Sequence, residues 1–104
     1  MSKPVRMERE AEEELGGAVE WYEGCLRGLG VMFLAVVDEV MSEIGESPNA
    51  GLLVPGVAEG LGVRRRIVRG FPYSICYVEM LSEVRIIAVA HGRRKPGYWR
   101  DRLG

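Results

Sequence analysis

Apolar residues along the chain follow two periods. From Ala11 they recur at Leu15, Ala18 (with Val19), Tyr22 and Cys25, with Leu26 alongside. Steps of four, three, four and three trace one face of an α-helix. Glu12, Glu13, Glu20 and Glu23 lie largely off that stripe, and acidic side chains in the first turn suit the positive end of the helix dipole. Gly16-Gly17 costs the helix about 1 kcal/mol per glycine relative to alanine, so a close approach of a neighbouring element is expected there in compensation. Arg27-Gly28-Leu29-Gly30 breaks the pattern. A second helix follows, with apolar positions at Leu29, Phe33, Val36 (with Val37), Val40 (with Met41) and Ile44, until Gly45 and Ser47-Pro48 end it. Its apolar arc is wide enough to be covered on more than one side. Joined by a short turn, the two helices predict an antiparallel hairpin with Tyr22, Met32, Phe33 and Met41 in the core. Trp21 falls beside the stripe and is open to either the core edge or a partner contact.

From residue 63 the period changes to two. Val63 to Phe71, Tyr73 to Met80 and Glu83 to His91 are dense in Val, Ile, Tyr and Phe, the residues that fit a pleated, half-buried surface. Gly70-Phe71-Pro72 and Leu81-Ser82 are short connections, which predicts an antiparallel meander. Strict alternation places Val84, Ile86, Ala88 and Ala90 on one face of the last strand and Arg85, Ile87, Val89 and His91 on the other. On the first strand it pairs Arg64 with Arg66 and Arg65 with Arg69. Lys3 to Glu8 is a candidate short strand at the start of the chain. Between helices and sheet, Pro48 to Gly62 carries two prolines and four glycines and reads as a crossing loop, which Leu52, Leu53 and Val54 are expected to hold down. The order predicts an α+β domain spanning residues 1–104, an N-terminal helical hairpin packed on a small antiparallel sheet.

Charge sharpens this picture. The total of −1 conceals two opposed halves: residues 1–63 carry four Lys/Arg against twelve Asp/Glu, and residues 64–104 carry ten against three. A basic sheet and tail suit a polyanion or an acidic protein partner. A solvated balance of acidic helices against a basic sheet explains the total, but not the crowding of Arg64, Arg65, Arg66 and Arg69 on one strand. Hydrophobic content of 47% with 28% charged residues indicates neither disorder nor a membrane span, and the longest apolar run, Val31 to Val37, is far too short for one. No basic segment followed by an apolar one opens the chain, so a cytoplasmic location is expected. Cys25 and Cys76 lack metal-ligand spacing and read as two buried thiols, and no cofactor is indicated.

His91, the single histidine, stands at the end of the last strand beside Gly92-Arg93-Arg94-Lys95. Its ordinary pKa near neutrality suits an acid or a base, and its bland role is to hydrogen-bond backbone at a strand end. Arg65, Arg69, Arg93 and Arg94 are candidates to bind phosphate or a partner. Tyr98, between basic residues in the tail Pro96 to Arg102, is a candidate to donate or accept a proton.

Several stretches, in this order, resemble one family. They are Ala11-x-x-Glu14-Leu15-x-x-Ala18-Val19-Glu20-Trp21-Tyr22, Gly30-x-x-Phe33, and Pro48 to Gly51. They continue with Val63-Arg64-Arg65-x-x-Val68-x-x-Phe71-Pro72-Tyr73-x-Ile75-x-Tyr77 and Ile86-x-Ala88-Val89-Ala90-His91-x-Arg93-Arg94. Together they resemble the RelE/ParE superfamily of toxins from type II toxin–antitoxin modules, in its plasmid-stabilisation, ParE-like branch. The resemblance implies a toxin held in a hetero-oligomer by an acidic, partly disordered antitoxin that wraps the helices and sheet. Two activities occur on this fold: inhibition of DNA gyrase without cleavage, and ribosome-dependent cutting of mRNA. A degenerate member that only binds antitoxin is a third case. For the ribonuclease, His91 and Tyr98 would move protons and Arg65, Arg69, Arg93 and Arg94 would hold phosphate. RelE-type ribonucleases usually carry an arginine where this chain has Ser74. That departure, with the slightly acidic total, favours inhibition of a protein target.

Overall fold

The computed structural model describes residues 2–55 and 62–103. A short strand β1 (Val5–Met7) leads into the helices α1 (Arg9–Cys25) and α2 (Leu29–Glu46). A 3-10 turn (Pro48–Ala50) and a two-residue strand β2 (Leu52–Leu53) follow. Then come β3 (Arg64–Val68), β4 (Tyr73–Glu79), β5 (Val84–His91) and a closing 3-10 turn (Arg100–Leu103). Part of the expected crossing loop, residues 56–61, lies outside the described residues. Among the described residues no helix is long and apolar enough to cross a membrane.

The helical hairpin lies on one face of the sheet. Ala11, Ala18 and Tyr22 of α1 and Phe33, Val37, Val40 and Ile44 of α2 form one core with Val68, Ile75, Tyr77, Val84, Ile86 and Val89 of the sheet. Val37 is fully buried where Val36 is only half so, which rotates α2 slightly from the simplest reading of its stripe. The close helix–helix approach occurs at Gly30, not at Gly16-Gly17. A Cβ on Gly30 would sit 2.5 Å from the Val19 carbonyl, whereas Cβ atoms on Gly16 and Gly17 would meet nothing within 4 Å. At the same corner the Glu23 carboxylate accepts the Gly28 and Gly30 N–H groups, at 2.8 and 3.0 Å, and so caps the start of α2 from α1.

The sheet has the order β1-β5-β4-β3-β2. β3, β4 and β5 are the expected antiparallel meander, but the whole sheet is mixed, because β1 joins β5 in parallel and β2 extends the opposite edge. Leu52 and Leu53 are held by backbone pairing to Arg64 and Arg65 and keep their side chains exposed, so they do not pack down. Tyr77 ties this edge in: its hydroxyl donates to the Pro48 carbonyl at 2.7 Å and accepts the Gly51 N–H at 3.1 Å. A side chain at Gly51 would run into that hydroxyl.

Three further expectations change. Met32 is 62% exposed, because α2 turns only one arc toward the sheet at its first turn. Cys25 is exposed, as α1 ends there, while Cys76 is buried. The alternation on β5 also breaks. Cys76 pairs with Ala88 and Tyr77 with Ile86, which leaves Ile87 as an extra residue. Such a bulge inverts the facing of everything beyond it. Val84, Ile86 and Val89 therefore share the helix-covered face, and Ile87 and Ala88 share the other with Val63, Cys76 and Trp99.

Candidate functional site

The bulge decides where His91 stands. Beyond it His91 pairs with Tyr73, and the two rings meet edge to face at 5.0 Å. Tyr73 touches Phe33 at 5.1 Å, and Phe33 in turn meets Phe71 and Tyr22, so an aromatic cluster runs from the helical hairpin to the end of β5. The Gly92 N–H donates to the Pro72 carbonyl at 2.7 Å and fixes the strand end. The Arg93 N–H donates to His91 Nδ1 at 3.0 Å. A neutral imidazole must then carry its proton on Nε2.

His91, Arg94 and Tyr98 separate two depressions. On the helix side, a groove of about 340 Å³ runs between α1 and the tail, floored by Gly17 and Ala18 and walled by Tyr73 and by Trp21, which is 66% exposed. On the open face, a tighter cleft of about 110 Å³ is lined by Arg65, Ser74, Cys76, Lys95 and Trp99 as well as the same three residues. Burial pushes the Cys76 thiol up to about 11, so this cysteine is a neutral wall of the cleft.

The candidate arginines divide into two groups. Arg65, Arg94 and the exposed Lys95 line the open-face cleft, and Arg93 is exposed in the turn that follows His91. Among the described residues none of these four has a carboxylate partner. Arg94 instead lies over the Tyr98 ring, 3.8 Å from its centroid. Arg69 is elsewhere. β3 ends at Val68, and the turn at Gly70 (φ 87) swings Arg69 to α2, where it meets Glu43 at 3.1 Å and Glu39 at 3.4 Å. Hydrogen bonding to Arg69 holds the Glu43 carboxyl below its usual range. Arg66 joins Glu43 at 2.7 Å, and Arg64 donates to the Gly51 carbonyl.

Tyr98 is committed to a bond that sequence reasoning missed. Its hydroxyl donates to Glu14 Oε2 at 2.5 Å. Arg102 grips the same carboxylate with both terminal nitrogens, at 2.9 and 3.1 Å, and the Val89 N–H donates to Glu14 Oε1. Burial, then the bond to Glu14 and its charge, push the Tyr98 phenol far above its ordinary value. Glu14 had a signal in the sequence: it lies three residues after Ala11 and four before Ala18, a carboxylate on the buried stripe. Arg102 had none. Among the described residues no cluster of three or more His, Cys, Asp or Glu side chains could hold a metal ion.

A chain from the chromosomal ParDE TA system of P. aeruginosa superposes on this one with a TM-score of 0.72, at 16% identity, over 86% of this chain and 96% of that one. The two chains share a fold. No family model matches the sequence, and no curated protein does. At this identity the likeness is one of architecture: two helices on a five-stranded mixed sheet.

Proposed function

We propose that this protein is the toxin of a type II toxin–antitoxin pair, neutralised by an acidic antitoxin in a hetero-oligomer in the cytoplasm, and that it acts by binding a protein target such as DNA gyrase. The fold shared with a ParDE system supports the toxin role. One observation carries the mode of action: Arg65, Arg94 and Lys95 line one cleft with His91, Arg93 is exposed in the turn beside them, and none of these cations has a carboxylate partner among the described residues, while the Tyr98 hydroxyl is engaged by Glu14. Such a surface attracts an anionic group of a partner. Cutting RNA would need a base, an acid and cations at the phosphate. A phenol that donates to a carboxylate and resists ionisation is poorly suited to move protons. That leaves His91 to act as both acid and base, with Ser74 where an additional cation would help. The ribonuclease reading draws its support from the same cleft, since His91 stands beside Arg65 and Arg94.

A supercoiling assay and a translation extract, run with one purified preparation, separate the two. Gyrase inhibition with intact mRNA is the expected result. Codon-positioned cuts that vanish in His91→Ala, with gyrase untouched, would overturn it in favour of the ribonuclease. Loss of both activities with antitoxin binding retained would mark a degenerate member.

A further inference from the structure

β1 covers β5 only from Val84 to Ile86. From Ile87 onward that edge of β5 has no neighbouring strand among the described residues, and its backbone groups need other partners. A side-chain pair supplies them. The Val89 N–H donates to Glu14 Oε1 at 3.1 Å, and the Ile87 carbonyl accepts from Arg102 Nη1 at 3.1 Å. Glu14 and Arg102, each 18% exposed, thus stand in for a missing strand and bind α1, β5 and the closing turn to one another. The second oxygen of Glu14 holds Tyr98, whose ring carries the Arg94 guanidinium. Arg94 is therefore two contacts from α1, by way of Tyr98 to Glu14, although it lines the open-face cleft.

We infer that Glu14 is a positioning residue for that cleft: by gripping Tyr98 and Arg102 it holds the tail in place and sets the Arg94 cation where an anionic group of a target meets it. The inference rests on the reading of the cleft as a contact surface, and the positioning itself can be tested apart from that reading. Protons on the face of an aromatic ring are shielded. The δ-methylene and Nε–H resonances of Arg94 should therefore lie upfield of those of Arg93, which has no ring contact. In Glu14→Gln the charge is lost and one acceptor oxygen is replaced by a donor group, so the four bonds that the carboxylate accepts from Tyr98, Arg102 and the Val89 N–H cannot all be kept. The Arg94 shielding is expected to fall by about half or more, since charge-assisted bonds are the ones lost. Ile44→Val, a small truncation in the core near the far end of α2, should leave the shielding unmoved. Arg94 resonances unchanged in a folded Glu14→Gln protein would overturn the proposal, as would an equal loss in Ile44→Val. In a parallel titration with inorganic pyrophosphate, Glu14→Gln and Arg94→Ala should each weaken binding about fivefold or more, the scale of one charge-assisted hydrogen bond. If Arg94→Ala binds pyrophosphate like the wild type, the reading of the cleft as an anion-contact surface fails. The shielding result then still decides whether Glu14 positions Arg94.

Discussion

Arg65 and Arg66 are neighbours on β3, yet they face opposite sides of the sheet. Arg66 looks toward the helices and finds Glu43 at 2.7 Å. Arg65 looks the other way, into the cleft with His91 and Arg94, and meets no carboxylate among the described residues. The same division runs through the molecule. On the covered face the acidic helices lend Glu39 and Glu43 to Arg66 and Arg69, and Glu14 to Arg102. Among the described residues the open face buries a small cluster of Val63, Cys76, Ile87, Ala88 and Trp99, and Arg65, Arg94 and Lys95 in the cleft beside it have no carboxylate partner. Opposite charge on the two halves of the chain is therefore consumed on one side and left available on the other. A net charge near zero says nothing about binding until the pairing is known.

If the covered face carries the stability, its truncations should dominate. Phe33→Ala removes a fully buried ring that touches Tyr22, Phe71 and Tyr73. It should cost about 3–5 kcal/mol, read as a lower urea midpoint. An unmoved midpoint would erase the distinction between the faces.

The junction between the faces comes next. Arg102→Gln leaves the Glu14 carboxylate, 18% exposed, without its cation. A loss of roughly 1–3 kcal/mol is expected in the same urea titration. A neutral outcome would mean that the tail is not held by this pair.

Alkaline pH probes burial on both faces of the sheet. The Cys76 thiol is raised from 9.0 to about 11, chiefly by burial, and the Tyr77 phenol is raised for the same reason. The unfolded chain sheds these protons first. This contribution to stability is thus fully present below about pH 9 and lost as pH climbs toward about 11. Urea midpoints at about pH 8 and about pH 10.5 should fall in that order; equal values would show that the thiol meets solvent.

The smallest effect on stability should accompany a large effect on binding. Arg94→Ala combined with Lys95→Ala breaks no ion pair among the described residues and should move stability by only about 0.5 kcal/mol. Affinity for an acidic antitoxin, and the salt dependence of that affinity, should both decline in calorimetric titrations at two ionic strengths. Wild-type affinity at both would remove these cations from the interface. Arg69 is the matching control, because its engagement with Glu39 and Glu43 predicts lost stability without a selective loss of salt dependence.

Much of the architecture was legible in the sequence. Two helical periods, a Gly-containing turn and three β-rich runs sufficed for the hairpin, the meander and a candidate first strand, because each depends on local spacing. Gly30 and Gly51 were visible as parts of a resemblance, although the crowding by Val19 and Tyr77 that requires them is a long-range fact. The candidate site was legible as a neighbourhood, His91 to Lys95, and not as an arrangement.

What the sequence by itself determined is the kind of surface available: an acidic helical half, a basic sheet half, and one histidine at a strand end. What only the tertiary structure decided is how these meet. One extra residue, Ile87, turns Val89 to the covered face and His91 toward Tyr73, and strict alternation cannot foresee it, because a bulge is a property of two paired strands. Arg69 swings to α2 because its strand stops one residue earlier, and the tail finds Glu14 because β1 is too short to cover β5. Each outcome depends on which backbone groups a neighbour leaves unpaired, and that is known only once the neighbours are in place.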